Sequence, residues 1–292
     1  MRKFVPIMST VSYHQLAEIA STNSYVMENI GNYAAESVAV VFTESQTAGR
    51  GMGSNSWESE AGRNIAFSIV FHPTKVKPAE QFVISMAVSV AIVRVLQEMF
   101  AAEKNRFSIK WPNDIYWKDR KLGGILIENA LKGSCIATSI LGIGINVNQE
   151  KFLSDAPNPV SLKQITGEES NGISLMKAMA ERFSEMQRQM GMTEKTASEG
   201  RLDEITIDSG RLDEITVDDG LREKSYDKVR AEYHSLLFRN DNHYHPFKEG
   251  TETFQAKIVR VQNNGKLFLL KESGEEKEYW LKEVEYITPK KN

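Results

Sequence analysis

The order of the apolar segments is the feature that most constrains the fold. Residues 79–101 carry apolar side chains at helical spacing, which predicts a helix facing the core. A second helix is predicted from STNSYVMENIG, with Ser21 or Thr22 as its cap and Gly31 at its end, and a third over 173–192. Runs rich in β-branched and aromatic residues predict buried strands at 37–45, 64–73, 106–112, 123–130 and 134–148. This alternation predicts an α/β body.

The last part of the chain has a different pattern. FQAKIVRVQNNGKLFLLKESGEEKEYWLKEVEYI contains short strand-like runs separated by Asn-Asn-Gly and Ser-Gly-Glu-Glu turns. The pattern predicts a small β-barrel at 247–292, separate from a body at 1–246. The length of 292 residues agrees with two domains. A unit of about 45 residues buries little core alone, so we expect it to pack against the body.

Composition argues against several classes of protein. The single cysteine, Cys135, allows no internal disulfide, and its apolar surroundings predict a buried, unreactive thiol. This usage fits a reducing cytosol, so we expect a cytoplasmic protein. No stretch approaches about 18 apolar residues, so no membrane span is expected. Outside 199–220 the chain carries 34 basic and 31 acidic residues, a mildly basic balance that tolerates an anionic ligand but is far from the footprint of a nucleic-acid-binding protein.

An acidic repeat interrupts the pattern. GRLDEITIDS at 200–209 is followed by GRLDEITVDD at 210–219. The spacing of the acids does not reproduce an EF-hand loop. Two interpretations of 199–220 stay open: an exposed hairpin or flexible insertion in the body, or a site for a metal or a partner.

Glycine-rich segments stand at the ends of several strand-like runs. GRGMG occupies 49–53, Lys121 leads into Gly123-Gly124, and GIGIN occupies 142–146. Each segment alone fits an ordinary turn or a close strand contact, and equally a backbone that cradles an anion.

KWPND at 110–114 places charged and amide side chains beside these glycines. Asp114 has two interpretations, since it can hold the turn or bind a cation beside a phosphate. The sequence has no Walker A loop, zinc cluster or nucleophile elbow. The set therefore favours electrostatic stabilisation of a nucleotide-like anion over nucleophilic catalysis.

Five motifs in a fixed order resemble one family. STN (21–23), QTAGRG (46–51) with Trp57 beyond it, KWPND (110–114), KLGGILIE (121–128) and GIGIN (142–146) are similar to those of biotin–protein ligases, also called biotin–[acetyl-CoA-carboxylase] ligases. The resemblance covers roughly 10–150. It implies a class II synthetase-like catalytic domain, with a central mixed sheet and flanking helices, and it identifies the tail as an SH3-like domain.

The resemblance also implies an activity. Biotin and ATP, with Mg²⁺, would give biotinyl-5′-AMP and pyrophosphate, and biotin would then pass to a lysine of the biotin carboxyl carrier protein of acetyl-CoA carboxylase or another biotin-dependent carboxylase. Only 20 residues precede STN, too few for the winged helix of family members that repress transcription, so no DNA binding is expected. A homodimer stays open.

Site residues follow from the same resemblance. Lys121 and Arg50 are the implied catalytic residues, and no protein metal ligand is implied beyond Asp114 near magnesium. The residues implied for biotin are Ser21, Thr22, Asn23, Gln46, Arg50, Gly51, Met52 and Lys121. The residues implied for ATP and the adenylate are Gly49, Lys110, Trp111, Asn113, Asp114, Gly123, Gly124, Gly142, Gly144 and Asn146, with the GIGIN residues on the adenine and ribose side.

One motif departs from the family pattern. GRGMGSNSW has Ser54 where the family often has a third glycine, and Met52 and Gly53 are uncharged where the family often has a basic residue. The departure bears on how tightly an adenylate would be shielded. Two alternatives remain: a lipoate–protein ligase with the same architecture, and a non-catalytic protein that binds the vitamin or the carrier.

Overall fold

The computed structural model describes residues 11–153, 158–193 and 219–288. The helices are α1 (Thr22–Glu28), α2 (Phe82–Met99), α3 (Leu162–Thr166), α4 (Gly172–Gln189) and α5 (Asp219–Ser235), with short 3₁₀ segments at Ile30–Tyr33, Pro78–Glu80 and Ala101–Arg106. The strands are β1 (Val11–Gln15), β2 (Val38–Thr43), β3 (Gly49–Arg50), β4 (Ser56–Trp57), β5 (Ile65–Phe71), β6 (Phe107–Lys110), β7 (Asp114–Trp117), β8 (Arg120–Lys132), β9 (Cys135–Ile145), β10 (His245–Glu249), β11 (Glu252–Val261), β12 (Leu267–Lys271), β13 (Glu276–Tyr279) and β14 (Glu285–Tyr286).

A seven-stranded sheet organises the body. Its order is β1-β2-β5-β9-β8-β7-β6; β1 runs parallel to β2, and the other neighbours are antiparallel. Every residue of β2 and β5 is buried, because helices cover both faces of the sheet there. The predicted α/β class with a central mixed sheet is confirmed.

The main core lies between one face of the sheet and α2. Along β5, alternate residues Ile65, Phe67, Ile69 and Phe71 enter this core, and the Phe71 ring meets Phe183 of α4 edge-on at 5.0 Å. Each such side chain contributes about 1.5–3 kcal/mol through burial. The opposite face of the sheet carries a smaller apolar cluster beside α1 and the open surface described below.

Helix α2 is apolar on all sides. The 22-residue stretch Pro78–Met99 is long and apolar enough to cross a membrane, although no membrane span was expected from the sequence. In the structure 72% of its most apolar window is buried. The sheet, α4 and α5 surround it, so its composition is that of a central core helix.

Three local expectations were wrong or incomplete. Cys135 is exposed, because it is the first residue of β9 at the hairpin end, and burial of the strand starts at Ile136. Helix α1 is capped by Ser21, whose Oγ accepts from the Ser24 amide, but it ends at Glu28 rather than Gly31. Helix α5 was not predicted. The acidic repeat lies outside the described residues except for Asp219 at the start of α5, so its interpretations stay predictions.

A second sheet follows α5. Its five antiparallel strands have the order β13-β12-β11-β10-β14, with the rings of Phe247, Phe254, Tyr279 and Tyr286 packed together inside it. Because β10 starts at His245, it crosses the predicted boundary at 246/247. The division into two domains stays a prediction.

The second sheet, and the helix α5 and the segment that lead into it, are bonded to the first sheet beside the KWPND turn. Trp111 Nε1 donates to the Gly265 carbonyl at 2.9 Å, and the Tyr233 hydroxyl of α5 donates to the Pro112 carbonyl at 3.1 Å. The Phe238 amide donates to the Ile109 carbonyl at 2.8 Å, which extends the edge of β6. These bonds bring the end of the second sheet next to the open face of the first.

Candidate active site

The floor of the site is a row of small residues across the sheet. Ala66 of β5 pairs with Gly144 of β9, Gly144 pairs with Gly124 of β8, and Gly124 pairs with Asp114 of β7. Residues directly opposite each other in neighbouring strands share a face of the sheet. At this row the face therefore carries almost no side chains across three strands, and a cleft of about 510 Å³ lies above it.

Two of the glycines are required by close contacts. A Cβ atom at Gly142 would lie 2.3 Å from Asn23 Oδ1, and one at Gly144 would lie 2.4 Å from Trp57 Cε2. Both distances are far below van der Waals contact. Gly142 therefore lies directly under Asn23, a residue expected at biotin, while its expected place on the adenine and ribose side stays a prediction.

A buried polar network forms one end of the cleft. The Ser68 hydroxyl on β5 lies 2.8 Å from Thr22 Oγ1 and 2.6 Å from Asn23 Oδ1. The Thr22 amide donates to Gln46 Oε1 at 3.0 Å, and Ser21 caps the helix that carries Thr22 and Asn23. The start of α1 therefore holds fixed hydroxyl and amide groups over the glycine floor.

Glu128 of β8 connects this network to Arg50. Its carboxylate accepts from Asn23 Nδ2 at 2.9 Å and from Arg50 Nη2 at 3.0 Å. Arg50 also donates to Ser24 Oγ at 3.3 Å and stays about half exposed. Glu128 belonged to the KLGGILIE motif but had no predicted role. The sequence feature that could have indicated a role for Glu128 is a carboxylate directly after an apolar run.

The segment from Gly49 to Trp57 forms a hairpin over the cleft. Strands β3 and β4 pair, and the Gly51 amide donates to the Asn55 carbonyl at 2.8 Å. Trp57 lies on Gly144, and its indole nitrogen is buried without a partner among the described residues. The motif included Trp57, but no role was assigned to it.

Lysines and carboxylates form the other end. Lys121 Nζ lies 2.7 Å from Asp114 Oδ1, and each side chain is 23% exposed. Lys110 Nζ donates to the Tyr116 hydroxyl at 3.1 Å and lies over the ring of Tyr286 at 5.4 Å. Burial lowers the pKa of Lys110; the nearby Lys121 charge acts in the same direction, while Asp114 opposes the shift. A bound anion would therefore stabilise the charged form of Lys110.

All but three of the predicted residues line the cleft. Gly49 supports the hairpin, since a Cβ there would meet the Trp57 carbonyl at 2.4 Å. Gly123 packs against Ile145, and buried Asn146 donates to the Val160 carbonyl at 3.2 Å. These three have structural contacts in place of the predicted ligand contacts. Asn113 lines the cleft and fixes its turn by donating to the Ile125 carbonyl.

The C-terminal sheet supplies a wall that sequence reasoning missed. The residues of this wall are Leu281, Lys282, Val284, Glu285, Tyr286 and Thr288. The Tyr286 hydroxyl is buried without a partner among the described residues, and burial raises its pKa. The sequence does not predict this wall, because contacts between two sheets leave no local pattern in either segment.

The chemistry of the cleft is polar and electrostatic. Among its described lining residues there is no cysteine and no histidine. The described parts of the chain also hold no group of three His, Cys, Asp or Glu side chains placed to bind a metal ion. The cleft can hold a ligand with a neutral polar head at the Asn23 end and a negative charge at the lysine end.

Comparison with known proteins finds matches to part of the chain. Residues 16–146, less than half of the chain, match the model of the biotin/lipoate A/B protein ligase family. It is 36% identical over 143 residues to the bifunctional ligase/repressor BirA of Escherichia coli, a match that covers 49% of this chain and 43% of BirA. It is 30% identical over 134 residues to the biotin–[acetyl-CoA-carboxylase] ligase of Mycobacterium tuberculosis, covering 46% and 48%. The matches span less than half of each relative.

Solved structures share the fold over nearly the whole chain. The biotin protein ligase from Aquifex aeolicus in complex with biotin and ATP superposes with a TM-score of 0.68 at 22% identity, covering 95% of this chain and 99% of that one. The biotin protein ligase from Leishmania major in complex with biotinyl-5-AMP gives a TM-score of 0.56 at 19% identity, covering 92% and 99%. The fold therefore extends beyond the family segment into the C-terminal sheet.

Proposed function

We propose that the protein is an ATP-dependent biotin–protein ligase. It would join biotin and ATP into biotinyl-5′-AMP with release of pyrophosphate, and then transfer biotin to a lysine of a biotin carboxyl carrier protein. The observation that supports this best is the cleft itself. A neutral polar end built on Thr22 and Asn23 and a cationic end built on Lys110 and Lys121 lie over one glycine floor, in a segment that matches the biotin/lipoate ligase family.

The polar end suits the uncharged head of biotin. The hydroxyl and amide groups at the start of α1 are buried and already hydrogen-bonded, so they are held in place before a ligand enters. Gly142 and Gly144 let Asn23 and Trp57 pack directly on the sheet, so both side chains are held at the wall of this end. We assign Ser21, Thr22, Asn23 and Gln46 to this end.

The cationic end suits the reacting groups. In the first step a carboxylate oxygen of biotin bonds to the α-phosphorus, and the bond from that phosphorus to the bridging oxygen of pyrophosphate breaks. Negative charge accumulates at the phosphate during the step, and Lys121 would stabilise it. Its ion pair with Asp114 holds the ammonium group at the cleft wall beforehand.

Arg50 would act from the hairpin. Glu128 holds its guanidinium at the polar end of the cleft, where Arg50 would contact the vitamin or the adenylate formed from it. In the second step the carrier lysine attacks the carbonyl carbon of the mixed anhydride. The nitrogen–carbon bond forms, the carbon–oxygen bond to AMP breaks, and the lysine nitrogen loses a proton.

Magnesium would enter with the nucleotide. Mg²⁺ usually binds substrate phosphates and one or two carboxylates while keeping several waters. Asp114 is the carboxylate that fits this role, since it lines the lysine end of the cleft. The carrier protein of acetyl-CoA carboxylase as partner, a cytoplasmic location and activity without DNA binding belong to the same proposal.

The test is exchange of labelled pyrophosphate into ATP without any carrier protein. Exchange that requires biotin, and that lipoate does not support, is the expected result. Exchange with lipoate alone would transfer the protein to the lipoate–protein ligases. No exchange with either vitamin would overturn the enzyme proposal in favour of a binding protein.

A further inference from the structure

Lys282 stands on the wall of the cleft that the C-terminal sheet provides. It lies in the turn between β13 and β14, and its side chain lines the cleft. Its φ of 69° is in the left-handed region, which residues other than glycine rarely adopt. Such backbone is often found where a side chain has to be held at a functional site.

The ammonium group of Lys282 reaches the hairpin on the opposite side. A Cβ atom at Gly53 would lie 2.6 Å from Lys282 Nζ and 3.6 Å from Cε. Only a residue without a side chain leaves space there, and Gly53 has a φ of 67°. The lysine of one sheet therefore lies against the backbone of the loop that covers the other.

The other cations of the cleft already have partners. Arg50 is paired with Glu128 at 3.0 Å, and Lys121 with Asp114 at 2.7 Å. Lys110 is largely enclosed and donates to the Tyr116 hydroxyl. Lys282 differs, because no hydrogen bond or ion pair joins its Nζ to any residue in 11–153, 158–193 or 219–288. An unpaired ammonium group facing a cleft is available to an anion.

The sequence of the hairpin makes this placement useful. Beyond Arg50, the segment Gly51-Met52-Gly53-Ser54 carries no charge. Lys282 brings a positive charge to the position of Gly53 from a distant part of the chain.

We propose that Lys282 is an anion-binding residue of the cleft, which contacts the phosphates of the nucleotide and adds a positive charge beside the uncharged stretch 51–54 of the hairpin. The proposal rests on the proposed function and adds a residue to its phosphate end. The interaction is between an exposed, unpaired ammonium group and a polyphosphate, so it affects nucleotide affinity and leaves the polar end unchanged. Because Lys282 is exposed, we expect a moderate effect of about tenfold, reduced by salt.

The test compares three variants with the wild type. Lys282→Met keeps the aliphatic stem and removes the charge, and Lys282→Arg keeps the charge. Lys257→Met is the matched control, since this lysine is on the same sheet, bonds to Asn242 at 2.9 Å and does not line the cleft. Calorimetry measures binding of inorganic pyrophosphate, and the exchange assay gives the KM values for ATP and biotin.

Lys282→Met should weaken pyrophosphate binding and raise the KM for ATP, each by about tenfold, with the KM for biotin within about twofold. Lys282→Arg should restore both, and Lys257→Met should match the wild type. Unchanged pyrophosphate affinity and KM for ATP in Lys282→Met would overturn the proposal, as would a wild type that binds no pyrophosphate. If Lys282 governs pyrophosphate binding but biotin supports no exchange, the inference about Lys282 stands and the proposed function fails.

Discussion

Adding one methyl group to the cleft floor tests the reasoning about the site most directly. In Gly142→Ala the new Cβ would lie 2.3 Å from Asn23 Oδ1 and 2.7 Å from its Cγ. Both distances are about 1 Å shorter than van der Waals contact. Asn23 is fixed by buried contacts and Gly142 by its strand, so the amide has to move. We expect the side chain of Asn23 to leave its present position.

The cost follows from the bonds that Asn23 makes. Its amide contacts Ser68 Oγ at 2.6 Å, the Leu126 carbonyl at 3.2 Å and the Glu128 carboxylate at 2.9 Å. The two neutral bonds contribute about 1 kcal/mol each, and the bond to the carboxylate contributes about 1.5–3 kcal/mol. Alanine in place of glycine returns about 0.4–1 kcal/mol by restricting the unfolded chain. With partial relaxation, the free energy of unfolding should fall by about 2–4 kcal/mol.

The assay is thermal and urea unfolding of a double-mutant cycle. Gly142→Ala should lower Tm by about 3–7 °C. Gly31→Ala, where a Cβ would meet nothing within 4 Å, is the control and should stay within about 0.5 kcal/mol of the wild type. In an Asn23→Ala background the clash is gone, so Gly142→Ala should cost less than about 0.5 kcal/mol. An equal cost in both backgrounds would refute the assignment of the clash to Asn23.

Two further predictions concern charged pairs. Lys121→Ala should slow biotin-dependent pyrophosphate exchange by about 10²-fold or more, because it removes the charge that Asp114 holds at the phosphate end. The control Lys132→Ala, at an exposed lysine, should leave the exchange rate unchanged. A Lys121→Ala rate within about threefold of the wild type would contradict that role. The Lys277 ammonium group holds the pKa of Glu249 below its ordinary value of 4.5, so the stabilisation is present above that value and is lost as pH falls through the folded-state pKa. Glu249→Gln should therefore lower Tm by about 1–3 °C at pH 7 and by nothing measurable near pH 3, and an equal offset at both pH values in thermal denaturation would contradict the assignment.

Regular patterns in the sequence predicted the body of the fold well. The strands β2, β5, β8 and β9 and the helix α2 came from continuous apolar runs, whose burial depends little on distant context. Helix α5 was missed, although Tyr226, Val229 and Tyr233 lie on one buried face. Its many charged residues and the acidic repeat before it masked the helical spacing. Cys135 was wrong because apolar neighbours do not show which residue of a strand stands at the hairpin end.

Among the site residues, too, those in local motifs were predicted and those that depend on distant contacts were not. Residues in local motifs, such as Thr22 and Lys121, were predicted to share a cleft, and the structure brings them to one. Glu128 and Tyr286 were not predicted, because their roles depend on pairing between strands and on docking between sheets. Asn146 shows the opposite error: it is part of a motif, but it turns away from the cleft to the Val160 carbonyl.

The wall formed by residues 281–288 has a consequence for biosynthesis. The polar end and the glycine floor come from strands that leave the ribosome long before this wall is made. Domains generally fold as units, starting from the N-terminal side during synthesis. The nascent protein is therefore expected to pass through a stage that has the floor and the polar end of the cleft but lacks Lys282 and Tyr286. Until those residues emerge, the cleft of the growing chain has one wall fewer than in the finished protein.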